Sequence, residues 1–313
     1  MCTSSSAAAA LQARCIWPPL RILALCCCIF GTHGCSSAGS SLLSVRSDVV
    51  VGSQDAHQHS SAEVPERVSR LLCPYAAQQG PRLQESAKHR MVKLLDQARK
   101  AQGSDSSTQA LTDRLDSAKR CAVVSNSGVL LQHQHGQDID SADLVFRFND
   151  AEIGGNVSAS VGVRDDVRIL NFESSQVKEN WAPKAAGTTI FVSKEMNVMS
   201  RPRSVGWQMI TEHCGARKEH ANEFLTTGYQ GVVLAMFLCE EVHAYGFAAT
   251  DASKSAPYHY YGHLLDTSTG EKHDPAHLHV TEPEKRFYSM VATNADYTSS
   301  DVVVIPGFSS LRC

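Results

Sequence analysis

The sequence predicts an α/β fold with a largely parallel sheet, on three observations. Short apolar runs recur from Cys121 onward at strand length: AVV (122–124), DLVFRF (143–148), VRIL (167–170), TTIFV (188–192), EVHAYGF (241–247) and DVVVIPGF (301–308). Segments of helical periodicity separate them, and that alternation is the signature of strands joined by crossover helices. Finally, 313 residues with 42% apolar content suffice for a substantial core. A net charge of −3 with no basic run argues against a nucleic-acid partner.

The chain opens on a targeting pattern. Arg14 and Arg21 accompany ILALCCCIF (22–30), within an apolar segment from about Cys15 to Gly31, which routes the protein into the secretory pathway. Residues 1–35 are expected to be a cytoplasmic tail and signal anchor, with cleavage near Gly34 to Gly39 as the alternative; the segment is short for the ~20 residues of a full span. Either way the body is luminal or extracellular, and disulfides are permitted. Residues 36–83, rich in Ser, Ala, Gln and His, are expected to form a stem. Residues 84–119 carry leucines and charges at helical spacing, broken at Gly103-Ser104, and predict two helices leading into a domain over 84–313.

In open parallel sheets ligands sit beyond the carboxyl ends of the strands. Ser125-Asn126-Ser127-Gly128 follows the first strand there. Leu225-Thr226-Thr227-Gly228 leads into the apolar helical run GVVLAMFLC (231–239). A threonine N-cap would point free N–H groups and the positive end of a helix dipole at whatever lies in front. Alone, each loop is more often a plain turn.

Four stretches together resemble the sialylmotifs of the animal-type sialyltransferases. CAVVSNSGVLLQHQHGQDIDSADLVFRFNDA (121–151) is similar to the large motif and TTGYQGVVLAMFLCEEVHAYGF (226–247) to the small one. HYYG (259–262) is similar to the third motif, and His279 with Glu284, spaced H-x-x-x-x-E, to the very small motif. The ending IPGFSSLRC resembles the β-galactoside α-2,6 branch.

The resemblance implies a modified GT-A, Rossmann-like α/β/α sandwich that binds a CMP-sugar donor, CMP-sialic acid first, and a glycan acceptor ending in a galactose-type residue. It implies a disulfide Cys121–Cys239 and, at the level of the branch, Cys73–Cys313 with Cys214 free; Cys73–Cys214 is the alternative. Asn149 and Asn171 would contact the nucleotide, with Ser125 and Asn126 in the loop after the first strand. Amides suit that task because they offer a donor and an acceptor together. Thr226, Thr227 and Gly228 would face the sugar carboxylate and phosphate, threonine standing where the family usually has serine.

Transfer with inversion needs a base for the acceptor hydroxyl and donors for the leaving phosphate. His279 is the candidate base, since imidazole titrates near neutrality. Glu284 would position its segment, and His259 with Tyr260 and Tyr261 would stabilise the phosphate. His277 with Glu282 repeats the spacing and is the alternative base pair. No metal cofactor is expected: Asp138-Ile139-Asp140 has the D-x-D form used by metal-dependent glycosyltransferases, but it falls where the large motif has its own Ile-Asp pair.

His133 and His135 are too closely spaced for a zinc site. Asn156-Val157-Ser158 is the sole N-x-S/T sequon, in a Gly-rich loop, and predicts N-glycosylation. AEIGGN (151–156), SVG (160–162) and Gly262 depart from the family pattern. The stretch from Glu173 to Glu223, with Trp181 and Trp207, carries no motif and is expected to shape the acceptor site. The resemblance also implies a Golgi, type II single-pass location, or secretion after cleavage. Rival readings are a CMP-Kdo donor, an inert luminal binding relative, or a metal-dependent enzyme using Asp138 and Asp140.

Overall fold

The computed structural model describes residues 63–77, 85, 89, 93, 108–177, 180, 189–192, 204–216, 225–248, 256–262 and 281–313. They build a six-stranded sheet in the order β4-β3-β2-β1-β5-β6, flanked on both faces. The strands are β1 (Arg120–Val124), β2 (Leu144–Phe148), β3 (Val167–Leu170), β4 (Thr189–Val192), β5 (Glu241–Tyr245) and β6 (Val302–Pro306). All neighbours pair in parallel except β6, which runs antiparallel to β5. Each coincides with one of the apolar runs. β2 and β3 are buried at every position, as strands covered on both faces must be.

The helices are α1 (Thr108–Ser117), α2 (Gly136–Asp140), α3 (Ser158–Val161), α4 (Val205–His213), α5 (Thr227–Leu238), α6 (Thr281–Val291) and α7 (Tyr297–Ser300). α5 is apolar almost all round, with every residue from Tyr229 to Leu238 buried. It lies in the larger core with α4, α6 and one face of the sheet. The other face packs Ala122, Val124, Val145 and Tyr245 against Leu130, Ile139, Val161, Tyr260 and Tyr261.

The chain enters mid-sheet at β1, builds outward to β4, then returns so that β5 lies on the other side of β1. That reversal places the topological switch point, where open α/β sheets form their ligand crevice, at the carboxyl ends of β1 and β5.

Cys121 is bridged to Cys239 and Cys73 to Cys313, with Cα separations of 6.0 and 5.4 Å; Cys214 is a buried free thiol. Burial pushes that thiol up to about 11. Cys121 stands near the start of β1 and Cys239 caps the end of α5. The bridge therefore ties the two elements at the end opposite their ligand loops and sets their mutual register from below. It closes a loop of 118 residues, so removing it through Cys121→Ala with Cys239→Ala is expected to cost ~3–5 kcal/mol of unfolding free energy. Urea denaturation of the double variant measures this; an unchanged midpoint would contradict it.

The stem boundary needs correction. Residues 66–77, assigned to a stem over 36–83, are helical, and Val68, Leu72 and Tyr75 are buried in the main core. Arg67 donates to the carbonyls of Met290 and Ala292 at 2.8 and 2.7 Å. Apolar residues at helical spacing and the Cys73–Cys313 bridge make this segment part of one compact unit over His59–Cys313. Of the two helices expected over 84–119, the second is α1. Residues 85, 89 and 93 are also helical, and the rest of 84–107 lies outside the described residues.

The signal-anchor segment 15–31 lies outside them too. Among the described residues no helix is long and apolar enough to cross a membrane. Trp207, expected near an acceptor, is buried in the core at the start of α4, where its N–H is capped by Ser204 Oγ; Trp181 lies outside the described residues.

Candidate functional site

Loops after β1, β2, β3 and β5 and the N-terminus of α5 gather at the switch-point edge. Residues 257–261 run antiparallel beside the β1 loop, Ser127 bridging to His259. Gly128 N–H donates to Pro257 O at 3.1 Å, and Tyr260 N–H to Asn126 O at 3.0 Å. The third motif is thereby laid against the first. The rings of Tyr258, His259 and Tyr261 stack, with centroids 4.5 and 5.3 Å apart, and this holds the imidazole over Tyr261. Gly262 closes the segment at φ +69°, a conformation that glycine adopts more readily than residues with a side chain.

Several candidates turn out to hold the frame. Ser125 Oγ donates to Gly246 O at 3.1 Å and accepts from Ser127 N–H, joining the β1 and β5 loops. Tyr260 is 1% exposed, its hydroxyl donates to Glu152 O at 2.9 Å, and burial pushes its pKa to about 12. Its phenol supports the β2 loop from the core. Tyr261, also buried, donates to Asp150 Oδ1 at 3.0 Å and accepts from Asn126 Nδ2 at 2.8 Å.

The asparagines are tied to neighbouring loops through their amide oxygens. Asn149 adopts φ +52°, which Asn tolerates better than most residues. Its Oδ1 accepts the N–H of Asn171 at 2.8 Å. Asn171 Oδ1 in turn accepts the N–H of Ser174 at 2.6 Å. An amide oxygen has two lone pairs, so each of these side chains can still offer a ligand an acceptor beside its N–H donors.

Two buried arginines set that corner, and sequence inspection gave neither a role. Arg168 on β3 binds Asp165 Oδ2 at 2.6 Å and donates to the carbonyls of Asn149 and Ala151 at 2.8 and 3.0 Å. Arg147 on β2, its register partner, donates to Arg164 O and Val161 O at 2.6 and 2.5 Å. Burial lowers the Arg147 pKa and raises that of Asp165. The signal was present: FRF and VRI each place a cation inside an apolar strand, where it must find hydrogen-bond partners.

Thr226 is the N-cap of α5; its Oγ1 accepts Tyr229 N–H at 3.0 Å. Helical geometry leaves the N–H groups of Thr227 and Gly228 without intrahelical acceptors. Gly228 packs closely on Phe247 beyond β5, where a Cβ would meet the ring at 2.9 Å. Glu284, fully buried in the first turn of α6, accepts from Thr226 N–H at 2.8 Å and from Thr226 Oγ1 at 2.7 Å. It clamps the N-termini of α5 and α6 together. Burial pushes its pKa up to about 8 against the opposing pull of the two Thr226 donors. His279, two residues before α6 in sequence, and His277 lie outside the described residues.

The D-x-D pair is divided between two structural tasks. Asp138 pairs with Arg120 at 3.3 Å and accepts from the Tyr245 hydroxyl. Asp140 accepts the N–H groups of Val163 and Arg164 at 2.9 Å. Among the described residues no group of three or more His, Cys, Asp or Glu side chains is placed to hold a metal. His133 pairs with the buried Asp301 at 2.7 Å. Gly162, in a departing segment, takes φ +75° with Asp140 so close that a Cβ would overlap it.

Polar loops and the threonine-capped N-terminus of α5 thus converge on the switch point of an α/β domain. A profile of glycosyltransferase family 29 (sialyltransferase) matches residues 74–213 and 208–294. That is well over half of the chain, and the chain belongs to that family. It is 28% identical over 207 residues to the human alpha-N-acetyl-neuraminyl-2,3-beta-galactosyl-1,3-N-acetyl-galactosaminide alpha-2,6-sialyltransferase, covering 52% of this chain and 68% of that one. It is 26% identical over 235 residues to beta-galactoside alpha-2,6-sialyltransferase 2 of Rattus norvegicus, covering 62% and 43%. To the CMP-N-acetylneuraminate-beta-galactosamide-alpha-2,3-sialyltransferase 1 of Gallus gallus it is 33% identical over 172 residues, covering 46% and 48%. The chain thus spans between about half and two thirds of these relatives' lengths, and they differ in the linkage their names give.

Proposed function

We propose that the chain transfers sialic acid from CMP-sialic acid to a terminal galactose-type residue of a glycan, by inversion and without a metal. One observation carries this: the donors of Asn149, Asn171, Thr227 and Gly228 and the His259 stack share the switch-point edge. Amide N–H groups would hold the ribose and phosphate, the α5 N-terminus would favour the anion, and His259 would stabilise the leaving CMP. His279 would take the acceptor proton, with Glu284 positioning its segment through Thr226.

The occupation of Asp138 and Asp140 by protein donors supports independence from metal. The test incubates the chain with CMP-sialic acid or CMP-Kdo, a galactose-terminated glycan, and EDTA or none. A product heavier by one sialyl residue and indifferent to EDTA is expected. Transfer from CMP-Kdo alone would reassign the donor, loss in EDTA would restore the D-x-D reading, and no transfer from either donor would indicate an inert binding relative.

The N-terminal pattern supports a Golgi type II anchor with the domain luminal. Microscopy of the tagged chain tests it; appearance in the medium would mean cleavage. Asn156, exposed in the 154–157 loop, is the expected glycan site. Asn156→Gln should abolish a mass that a peptide N-glycosidase removes from the secretory form, and an unaltered mass would contradict it.

A further inference from the structure

Asn126 differs from the other two asparagines. Its Nδ2 donates to the Tyr261 hydroxyl at 2.8 Å, while Oδ1 is buried with no hydrogen-bond partner among the described residues. An acceptor left in that state is destabilising until a donor arrives. The orientation of the amide is set one residue further away. A carboxylate can only accept, so the Tyr261 proton points to Asp150 Oδ1 at 3.0 Å. The Tyr261 oxygen is then left to accept, and the group that can donate to it is the amide nitrogen of Asn126. Burial and the Asp150 carboxylate both raise the Tyr261 pKa, so the phenol keeps the proton it donates.

We propose that Asp150 is a positioning residue for the donor nucleotide: acting through Tyr261, it turns the Asn126 amide oxygen toward the ligand and so selects a hydrogen-bond donor there. This rests on the CMP-donor assignment above. Neither the phosphodiester monoanion of a CMP-sugar nor the phosphate dianion of CMP has a proton to give, so the selected group is a ribose hydroxyl or the 4-amino group of cytosine. Without Asp150 the Tyr261 hydroxyl is free to donate to Asn126 Oδ1. The amide then reverses and presents N–H where the ligand also presents a donor.

The test is the equilibrium binding of CMP, 2′-deoxyCMP, 3′-deoxyCMP and UMP to the parent chain and to Asp150→Ala, Asp150→Asn and Tyr261→Phe. Asp150→Ala is expected to weaken CMP about tenfold, one hydrogen bond's worth. Asp150→Asn keeps a carbonyl that accepts the phenol proton and should lose less than about threefold. Tyr261→Phe keeps the ring in its stack with His259 and should follow Asp150→Ala.

The parent-to-Ala ratio should collapse toward one for the analogue that lacks the selected group: a deoxynucleotide if the group is on the ribose, UMP if it is the base amine. Equal CMP binding by parent and Asp150→Ala overturns the relay. So does an equal loss for every analogue, or an Asp150→Asn as damaging as the alanine, since a fold defect or lost charge gives those results. A parent chain that binds no CMP overturns the donor assignment itself and the relay with it.

Discussion

His279→Ala is expected to lower the rate of sialyl transfer by about 10²–10⁴-fold, the range for losing a positioned general base, while CMP binds as before. The acceptor hydroxyl is a poor nucleophile unless its proton is removed as it attacks, whereas in the proposed site the nucleotide would be held by the strand-end loops. His279 is separated by one residue, Val280, from the start of α6. Glu284 ties that helix to Thr226, the cap of α5, whose first N–H groups point at the proposed phosphate. In the proposed site one carboxyl would couple the base to the leaving-group donors. Steady-state rates with CMP-sialic acid, beside CMP titration by calorimetry, separate the two effects. His279→Ala with near-parental turnover would reject the assignment, and His277→Ala should then show the loss instead.

Glu284→Gln is expected to flatten the pH dependence of stability over the range where the parent loses several kcal/mol. The Glu284 carboxyl is raised from 4.5 to about 8 by burial, so the folded state holds its proton more tightly than the unfolded chain. The stabilisation is complete below about 4.5, declines as pH rises, and is gone above about 8; with 1.36 kcal/mol for each unit of difference the effect is large. The neutral acid can accept from Thr226 N–H through one oxygen and share a proton with Thr226 Oγ1 through the other, and a glutamine amide offers the same pair. Urea unfolding from pH 5 to pH 9 measures it. The parent should weaken steadily and the variant remain nearly level. Parallel curves would contradict a buried, proton-holding Glu284. Glu284→Ala leaves both Thr226 donors without their acceptor and should destabilise at every pH.

The strands were legible because each apolar run is short, β-branched and bounded by turn residues; AVV, VRIL and DVVVIPGF became β1, β3 and β6 almost to the residue. α5 was legible for a different reason: GVVLAMFLC is too long for a typical buried strand and follows a threonine cap and a glycine. The stem boundary was not. Val68, Leu72 and Tyr75 sit among charged and small residues, and their burial depends on a bridge to the far end of the chain.

The motifs pointed to loops that the structure gathers at one sheet edge but gave no orientation. The amide of Asn171 is fixed by Ser174, that of Asn149 by Asn171, and that of Asn126 by Tyr261, which donates in turn to Asp150. The link from Asn126 to Tyr261 spans 135 residues. Tyr260 and Tyr261 look alike in sequence and share one buried cluster, yet the first donates to the Glu152 carbonyl and the second to the Asp150 carboxylate.

Amide hydrogen exchange with and without CMP tests most directly that one nucleotide is enclosed by these separate segments. On adding CMP, exchange should slow in peptides covering 125–128, 149–151, 171–174 and 226–229, most at Thr227 and Gly228, whose N–H groups lack helical acceptors. If CMP leaves those four segments unchanged, or protects only one of them, the loops do not form a single donor site.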